Sequence, residues 1–578
     1  MTQWPPSRSQ VIGTVKGPGL EGNQYVFITA NNHQVRIGEF VYYHWLDQED
    51  DRPTMASHSY SSGDRSTPPP GKQILGKISG RCLIGHLPDR IFADTETSPE
   101  LIAALVGFTY DNPELYEVTV EVVGYFDGNL GFMNPRRAPD PGAKVYLADD
   151  RQLQNILNRK TPGSVGSAEV GYLLLRQPGA VPIALDLKEL VSTHMAILAG
   201  TGSGKSYTAG VLIEEMLRPY NRAAVLIFDP HGEYGTLTEL RGHPAFRGED
   251  GYQPQVEILD PSRIRIRVSS LDYYDILALL PQMSDRQQSI LHKAFTLLRR
   301  SGSGDRWDVQ DLIRCVYDAD TQSDGEGNEK SGSSAPALEW KLERLERSPY
   351  FHNSLHLTPP QLVEPGRVTV LQMNQISQEE QQVICAALLR QIYQARMDTV
   401  TKPGEITTDN YLPYPVFILI EEAHRFAPAH EPSRCKQILR TILSEGRKFG
   451  LGVGLITQRP GKLDSDVLSQ CMSQFLMRIV NPVDQDSLKH GVEAAGRDLL
   501  RELPALTKGQ VIISGACVST PVLCQIRPRL TRHGGNTLDA PMEWQNYFRS
   551  TQAQARKIDQ AKIAPRSFPG THGGLSIE

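Results

Sequence analysis

Short runs of β-branched and aromatic residues recur along roughly the first 150 positions of the chain, and Gly, Asn and Pro residues separate them. Strands that follow one another without amphipathic helices between them are typical of a small barrel or sandwich, which we predict over residues 1–155. Asp47–Gly71 is polar and rich in Ser and Pro, so we expect a loop inside this domain. The predicted strands are Val11–Val15, Gln24–Thr29, Phe40–Trp45, Ile74–Ile78, Glu117–Gly124 and Lys144–Leu147.

From about residue 165 the pattern changes, because apolar strands now alternate with longer helical stretches. This alternation predicts a parallel α/β sheet, which we place in a second domain over residues 156–535. Residues 272–350 interrupt it with apolar positions at helical spacing, which indicates a helical insertion. Residues 536–578 form a polar tail with one predicted helix, Pro541–Gln560. The predicted core strands are Met195–Leu198, Ala223–Asp229, Gln255–Ile258, Val368–Gln372, Val416–Ile420, Gly452–Thr457, Gln474–Arg478 and Gly509–Ile513.

Composition narrows the class of protein. The 578-residue chain carries 60 Lys and Arg against 66 Asp and Glu, a net charge of −6, and 39% of its residues are hydrophobic. These values fit a soluble globular protein and argue against collagen-like, disordered and disulfide-scaffold classes. The sequence has no signal-peptide core, no apolar stretch near the ~20 residues of a membrane span, and no CxxC pair among seven cysteines. We therefore expect a cytoplasmic protein with reduced thiols.

The segment Ala199–Ser206, which reads AGTGSGKS, lies between an apolar strand and a run compatible with a helix. This is the context of a P-loop, whose glycines let successive backbone N–H groups point at phosphate oxygens. Lys205 is expected to reach the β- and γ-phosphates of ATP, and the Ser206 hydroxyl to bind Mg²⁺. Ala199 replaces the consensus Gly with another small residue. The predicted nucleotide-binding residues are Gly200, Thr201, Gly202, Ser203, Gly204, Lys205, Ser206 and Tyr207.

A second apolar strand, Val416–Ile420, ends in two carboxylates, Glu421 and Glu422. In P-loop NTPases such a strand presents an acidic residue to Mg²⁺, so we assign Glu421 to the metal together with Ser206. The position usually holds Asp, and the longer Glu can act through a water ligand because Mg²⁺ keeps several waters. Glu422 is then the candidate base that orients or deprotonates the attacking water. The alternative is an exposed Glu pair that opens a helix.

Two polar residues flank the predicted strand Gly452–Thr457. Gln458 follows the strand, and ligands gather at the carboxyl ends of parallel strands, so Gln458 is a candidate sensor of the γ-phosphate. Arg447 precedes the strand, at the opposite edge of the core, where it cannot easily reach its own nucleotide. It could reach the γ-phosphate of a neighbouring subunit as an arginine finger, or form an ion pair at a helix end.

The motif Asp229–Tyr234, which reads DPHGEY, ends another core strand and has two interpretations. Asp229 or Glu233 could support the metal or the water. A turn held by Asp and Gly explains the motif equally well, so both interpretations stay open.

Residues 430–462 carry seven Lys and Arg against two Glu, a local charge of +5 in a chain of net charge −6. We predict that Arg434, Lys436 and Lys462 lie near a DNA channel and contact phosphates without reading sequence. The alternative is a solvated helix face. No series of aromatic residues accompanies these cations, which favours duplex over single-stranded DNA.

Five motifs, in the order GTGSGKS, DPHGEY, ILIEEAH, SEGRKFG and TQRP, resemble those of the HerA branch of the HerA/FtsK superfamily of hexameric DNA translocases. The β-rich N-terminus is similar to the HAS-barrel of that family, and Pro521–Gly535 to its closing strands and C-terminal brace. The resemblance covers roughly residues 8–535. It implies a RecA-like core, a homo-hexamer with ATP and Mg²⁺ at each interface, and double-stranded DNA in the central channel.

By matching position, the resemblance makes Glu422 the catalytic glutamate, Arg447 the trans finger and Gln458 the sensor. His194, just before the P-loop strand, also fits the family, without an assigned role. Motors of this type commonly serve a separate nuclease or other effector in DNA end processing or in defence against phage. The chain shows no nuclease constellation, so we expect such a partner to dock on the barrel. The alternative function is an ATP-gated scaffold that assembles an effector enzyme.

Overall fold

The computed structural model describes most of the chain in two compact units, Met1–Arg532 and His533–Glu578. The predicted loop at 47–71 lies outside the described residues. No helix within the described segments is long and apolar enough to cross a bilayer. The described residues are 11–30, 35–45, 72–84, 115–127, 131–135, 138–280, 282–300, 307–323, 334–402, 409–491, 500–535 and 539–563.

The N-terminal part of the larger unit is a closed antiparallel barrel. Six strands pair in the order β2-β1-β7-β3-β4-β5, and β5 pairs back with β2, while β6 continues β5 as a hairpin. Inward-facing aromatic residues such as Tyr25 and Phe27 fill the interior, and closure protects the strand edges. The strands are β1 Val11–Pro18, β2 Gln24–Thr29, β3 Phe40–His44, β4 Gln73–Leu83, β5 Tyr116–Asp127, β6 Gly131–Met133 and β7 Lys144–Leu147.

An 11-stranded sheet forms the second part. The strands are β8 Ser167–Leu173, β9 Pro182–Asp186, β10 Met195–Leu198, β11 Val225–Asp229, β12 Gln255–Leu259, β13 Ile266–Arg267, β14 Phe351–His352, β15 Arg367–Gln372, β16 Val416–Ile420, β17 Leu451–Thr457, β18 Ser473–Leu476, β19 Gln510–Gly515 and β20 Val522–Ile526. The order is β12-β15-β11-β16-β17-β10-β18-β19-β20-β8-β9, and β13 pairs separately with β14.

The first seven strands in that order are parallel, and β10, which leads into the P-loop, lies between β17 and β18. The last four continue the sheet in antiparallel pairs. This is a RecA-like P-loop core, so the predicted fold class is confirmed. Every predicted core strand is present within a few residues. The short strands β13 and β14 and the strands β8 and β9 were not predicted, and β20 was implied only by the family resemblance.

Helices cover the sheet and form the insertion. Four of them, α4–α7, occupy the predicted insertion, and α13 lies in the smaller unit. The helices are α1 Asp150–Leu157, α2 Leu187–Ser192, α3 Lys205–Met216, α4 Tyr273–Leu279, α5 Asp285–Arg300, α6 Val309–Ser323, α7 Ser334–Glu346, α8 Pro359–Leu362, α9 Gln378–Thr401, α10 Arg434–Glu445, α11 Ser465–Ser469, α12 Pro482–Gly491 and α13 Ala540–Ile563.

The barrel packs directly on the antiparallel half of the large sheet. Phe40 and Leu75 of the barrel belong to the same buried hydrophobic cluster as Leu173 of β8. Beside this cluster, Arg176 Nη2 donates to Glu39 Oε1 of the barrel at 2.8 Å. The barrel therefore contacts the ATPase sheet through a shared hydrophobic cluster, while a separate cluster fills its own interior.

Candidate nucleotide site

The P-loop connects the end of β10 to the start of α3. Gly202 and Gly204 have φ angles of +77° and +102°, which residues with a side chain rarely adopt. The Gly200 N–H donates to Arg478 O at 2.7 Å and anchors the loop to the end of β18. Lys205 is the first residue of α3, so the loop presents backbone N–H groups at a helix N-terminus, where phosphate binds favourably.

Four predicted site residues meet at the end of the P-loop. Lys205 Nζ contacts Glu421 Oε1 and lies 3.1 Å from Glu422 Oε1, and both carboxylates are buried, with 0% and 2% exposure. The Ser206 hydroxyl lies 3.2 Å from Glu421 Oε1. Burial by itself lowers the pKa of Lys205, but the two carboxylates overcome this effect and raise the pKa above its usual range. Lys205 is therefore a permanent cation.

Two features of Glu422, its backbone conformation and an unbonded carboxylate oxygen, are typical of a catalytic residue. Its φ of +52° places a non-glycine residue in the left-handed region, which costs about 1–3 kcal/mol. Its Oε2 is buried and accepts no hydrogen bond from any described residue. His424 Nδ1 lies 3.3 Å from this oxygen and 2.9 Å from Thr457 Oγ1. Burial lowers the pKa of His424, with Glu422 opposing, so the ring is neutral at pH 7. His424 belongs to the ILIEEAH motif, but no role in the site was predicted for it.

Gln458 lies beside the P-loop, as its place after β17 predicted. The Thr201 hydroxyl donates to Gln458 Oε1 at 3.0 Å. A cavity of about 380 Å³ opens between the P-loop and the ends of β17 and β18, with Arg459 and Arg478 in its wall. Neither arginine was predicted as a residue of the nucleotide site. Arg478 could have been found from its place at the end of the strand next to β10.

The structure favours the turn interpretation for Asp229, while the role of Glu233 stays a prediction. Asp229 Oδ1 accepts the backbone N–H groups of residues 231, 232 and 233 at 2.8–3.3 Å, and Oδ2 accepts that of Tyr234 at 3.1 Å. Asp229 therefore holds a turn. Tyr234, for which no role was predicted, donates its hydroxyl hydrogen bond to Glu421 Oε2 at 2.6 Å.

Tyr207 was assigned to the nucleotide, but its hydroxyl accepts the backbone N–H of Arg529 at 2.8 Å. Arg529 belongs to a segment after β20, residues 527–531, which we call the strap. Glu214 of α3 is fully buried and accepts the Thr531 N–H and hydroxyl at 2.9 Å, and Arg527 Nη1 at 3.0 Å. The strap therefore fastens the P-loop helix to the end of the core domain.

Arg447 lies at the end of the sheet opposite to its own P-loop, because it precedes β17 and the P-loop follows the parallel strand β10. The side chain is exposed, and no carboxylate of the described residues forms an ion pair with it. Nearby, His194 is buried with φ +57°, and its Nδ1 accepts the Val453 N–H at 3.1 Å. Burial, with Arg447 adding to the effect, lowers the pKa of His194 to about 4, so this histidine is a neutral structural group.

Three of the seven cations of the basic segment, Arg434, Lys436 and Arg440, form ion pairs within the chain. Arg434 pairs with Asp272 at 2.6 Å and with Asp275 at 2.9 Å, which joins α10 to the helical insertion. Lys436 donates to Pro428 O at 2.6 Å and lies 3.5 Å from an Asp464 carboxylate oxygen. Both side chains therefore have acidic partners within the chain, and their contact with DNA stays a prediction. Of the three predicted DNA contacts, Lys462 is the exposed one.

The residues present fit ATP and Mg²⁺. Ser206 Oγ and Glu421 Oε1 converge beside Lys205, and one hydroxyl with one carboxylate suits Mg²⁺, which takes further ligands from phosphates and water. When bound, Mg²⁺ would neutralise charge on the phosphates.

Sequence comparisons identify the family to which this site belongs. The family model described as "Helicase HerA, central domain" matches residues 168–392. The DNA double-strand break repair helicase HerA of Pyrococcus furiosus is 32% identical over 449 residues, which cover 71% of this chain and 77% of that protein. The chain belongs to the HerA helicase family.

One further relative agrees with this membership. A probable DNA double-strand break repair helicase HerA of Methanocaldococcus jannaschii is 29% identical over 471 residues, covering 74% of this chain and 88% of that protein. Among solved structures, the bacterial conjugative coupling protein TrwB aligns at 12% identity and a TM-score of 0.42, covering 68% of this chain and 94% of that chain. The HerA resemblance predicted from the motifs is confirmed, and the protein is an ATPase of the helicase type.

Proposed function

We propose that this HerA-family chain forms a homo-hexameric ring that hydrolyses ATP to translocate on, or unwind, double-stranded DNA. The position of Arg447 carries the proposal. This arginine is exposed, has no carboxylate partner among the described residues, and lies at the far end of the sheet from its own P-loop. An arginine placed there can complete the nucleotide site of a neighbouring subunit only. The names of the relatives from Pyrococcus and Methanocaldococcus support DNA as the track.

Within one subunit, the side chains in front of the P-loop carry out hydrolysis. Lys205 contacts both carboxylates, and on nucleotide binding it turns to the β- and γ-phosphates. Glu422 then accepts a proton from the attacking water, for which its unbonded Oε2 is placed. Gln458, bonded to Thr201, reports the presence of the γ-phosphate. ATP binding closes one subunit interface and hydrolysis releases it.

For the DNA track we retain Lys462, which is exposed and lies in the turn after β17, two residues beyond Pro460. Gln458 follows β17 and senses hydrolysis of the nucleotide. Lys462 lies in the same turn, so a shift of that strand end on hydrolysis moves Lys462 as well. We further propose that a nuclease or other effector, in DNA end processing or phage defence, docks on the barrel.

An ATP-gated scaffold is the second candidate function, and one observation favours it. Because the barrel shares a hydrophobic cluster with the ATPase sheet, a change at the nucleotide site can reach a partner on the barrel without any movement along DNA. The scaffold needs no track, so the response to DNA separates the two functions.

The experiment is an ATPase titration with blunt duplex and single-stranded DNA on a ring of measured mass. We expect the mass of six chains and a turnover rate that rises with duplex DNA. An unchanged rate and no displacement along duplex DNA would favour the scaffold. Lys205→Ala and Glu422→Gln should keep the ring mass and abolish turnover, whereas Glu249→Gln, on the exposed surface, should change neither. Normal turnover in either site variant would refute the site assignment.

The trans role of Arg447 is tested by mixing subunits. Rings that contain both wild-type and Arg447→Ala subunits should lose more activity than the fraction of variant chains, because each variant disables its neighbour's site. Lys448→Ala, the adjacent exposed cation, serves as the control and should leave mixed rings fully active. Activity that falls in simple proportion to the variant fraction would contradict the trans role.

A further inference from the structure

Glu421 occupies the position where the metal-binding strand usually carries Asp, and the structure shows how the longer side chain is held. The residue is fully buried at the end of β16. One carboxylate oxygen, Oε1, faces Lys205 and the Ser206 hydroxyl. The other oxygen, Oε2, accepts the hydrogen bond from the Tyr234 hydroxyl at 2.6 Å. The two oxygens therefore have different partners, and only Oε1 faces the metal position.

Tyr234 is itself rigidly placed. Its side chain is 1% exposed, and its backbone N–H is bonded to Asp229 Oδ2 at 3.1 Å. Asp229 ends β11, which pairs in parallel with β16, and the Glu421 N–H donates to Phe228 O at 3.1 Å. The turn and the sheet thus bring the tyrosine hydroxyl to the carboxylate across 187 positions of sequence.

A fixed donor at Oε2 matters because Glu has one more rotatable bond than Asp. Mg²⁺ demands near-ideal octahedral geometry, and groups that orient its ligands commonly change metal affinity when they are removed. A hydrogen bond to a carboxylate is stronger than one between neutral groups, so it can hold one rotamer. We propose that Tyr234 is a positioning residue that fixes Glu421 with Oε1 toward Ser206 and the Mg²⁺ of the nucleotide. The inference rests on the proposed role of Glu421 as the metal carboxylate.

The test is Tyr234→Phe, which removes the hydroxyl and keeps the ring. The Mg²⁺ concentration for half-maximal ATPase activity should rise about tenfold, the low end of the range for groups that orient metal ligands. Excess Mg²⁺ should restore most of the turnover rate. The affinity for a fluorescent ADP analogue without Mg²⁺ should stay within about twofold of wild type, since Tyr234 faces the carboxylate; with Mg²⁺ it should fall.

Tyr252→Phe is the matched control. The Tyr252 hydroxyl donates to Leu217 O at 2.9 Å, just beyond the far end of α3, so its loss removes a similar bond without touching Glu421. This variant should have the Mg²⁺ requirement of wild type. A Tyr234→Phe protein with an unchanged Mg²⁺ requirement, or with equal losses of nucleotide affinity in the presence and absence of Mg²⁺, would overturn the inference.

The variant Glu421→Gln distinguishes a failure of the positioning role of Tyr234 from a failure of the metal role of Glu421. If Glu421→Gln raises the Mg²⁺ requirement and Tyr234→Phe does not, Glu421 keeps its role and the positioning inference fails. If Glu421→Gln leaves the requirement unchanged, the metal assignment itself fails. When both single variants raise the requirement, the double variant should resemble Glu421→Gln alone, because the tyrosine acts through that carboxylate. Additive effects in the double variant would count against the inference.

Discussion

Replacing Lys77 with Met should stabilise the protein, and the gain should shrink as the pH rises. Lys77 is a barrel residue with 8% exposure, and it faces a cavity of about 470 Å³ between the barrel and the β19–β20 hairpin. Its Nζ donates to Pro521 O at 3.4 Å, and no carboxylate oxygen of the described residues lies within 4.0 Å of it. Burial lowers its pKa from 10.5 to about 8, although Glu121 and Glu502 oppose the shift.

The direction in which stability changes with pH follows from the number of protons that the folded and unfolded chains bind. Below pH 8 the amine is charged in both the folded and the unfolded chain, and burying that charge costs its full free energy. Between pH 8 and 10.5 the folded chain binds fewer protons than the unfolded chain, so stability rises with pH and the cost fades. The shift from 10.5 to about 8 corresponds to about 3 kcal/mol at pH 7 and about 1 kcal/mol at pH 9.5. Met keeps the apolar stem and removes the amine.

The assay is thermal unfolding of the two proteins at pH 7 and pH 9.5. With an unfolding entropy of about 2 cal/mol/K per residue over a unit of roughly 530 residues, 1 kcal/mol shifts Tm by about 1 °C. Lys77→Met should therefore raise Tm by about 3 °C at pH 7 and by about 1 °C at pH 9.5. Lys16→Met, at an exposed barrel lysine, controls for the loss of one positive charge. An equal rise at both pH values, or a fall in Tm at pH 7, would refute the reasoning.

Three further predictions concern the P-loop helix and the basic segment. A Cβ on Gly210 would lie 2.5 Å from Cζ of Arg529, whose side chain is 2% exposed. Gly210→Ala should therefore lower Tm despite the better helix propensity of Ala, and a raised Tm would contradict the packing. Tyr207→Phe should lower Tm and leave ADP affinity within about twofold of wild type, because the hydroxyl bonds to the strap. A loss of ADP affinity without a loss of stability would show that Tyr207 acts in the nucleotide site. Lys462→Ala should weaken duplex binding and reduce the slope of log DNA affinity against log salt concentration by about one phosphate contact. Arg434→Ala should instead lower Tm and leave DNA affinity unchanged. The opposite pattern in DNA binding titrations would restore Arg434 as the DNA contact.

The parts of the site that depend on local sequence were predictable. The P-loop needs Gly202 and Gly204 because their φ angles are positive, and Lys205 opens a helix directly after a buried strand. Glu421 and Glu422 follow five consecutive buried residues, and this apolar run marks a central parallel strand. Backbone geometry and hydrophobic pattern depend on neighbouring residues, so the motifs alone were enough to predict the P-loop and the strand before Glu421.

The fold was harder to predict where strands lack an apolar run. β8 reads SAEVGYL, in which polar and small residues break the pattern, and it becomes a strand because β20 and β9 pair with its two edges. The same holds for the closure of the barrel, which depends on the pairing of β2 with β5. Pairing between distant segments provides hydrogen bonds that no single segment's composition can indicate.

The sequence by itself determined the ATPase motifs, the strands that carry them and the family to which the chain belongs. Only the tertiary structure decided which charged groups are available for function. The positive charge of Arg434 is evident from the sequence. Its neutralising partners, Asp272 and Asp275, are not, because they lie about 160 positions away. Tyr234 meets Glu421 across a similar distance. A charge or hydroxyl acts on whatever folding brings within a few ångströms, and that neighbour is set by the packing of whole strands and helices rather than by the residues beside it in the chain.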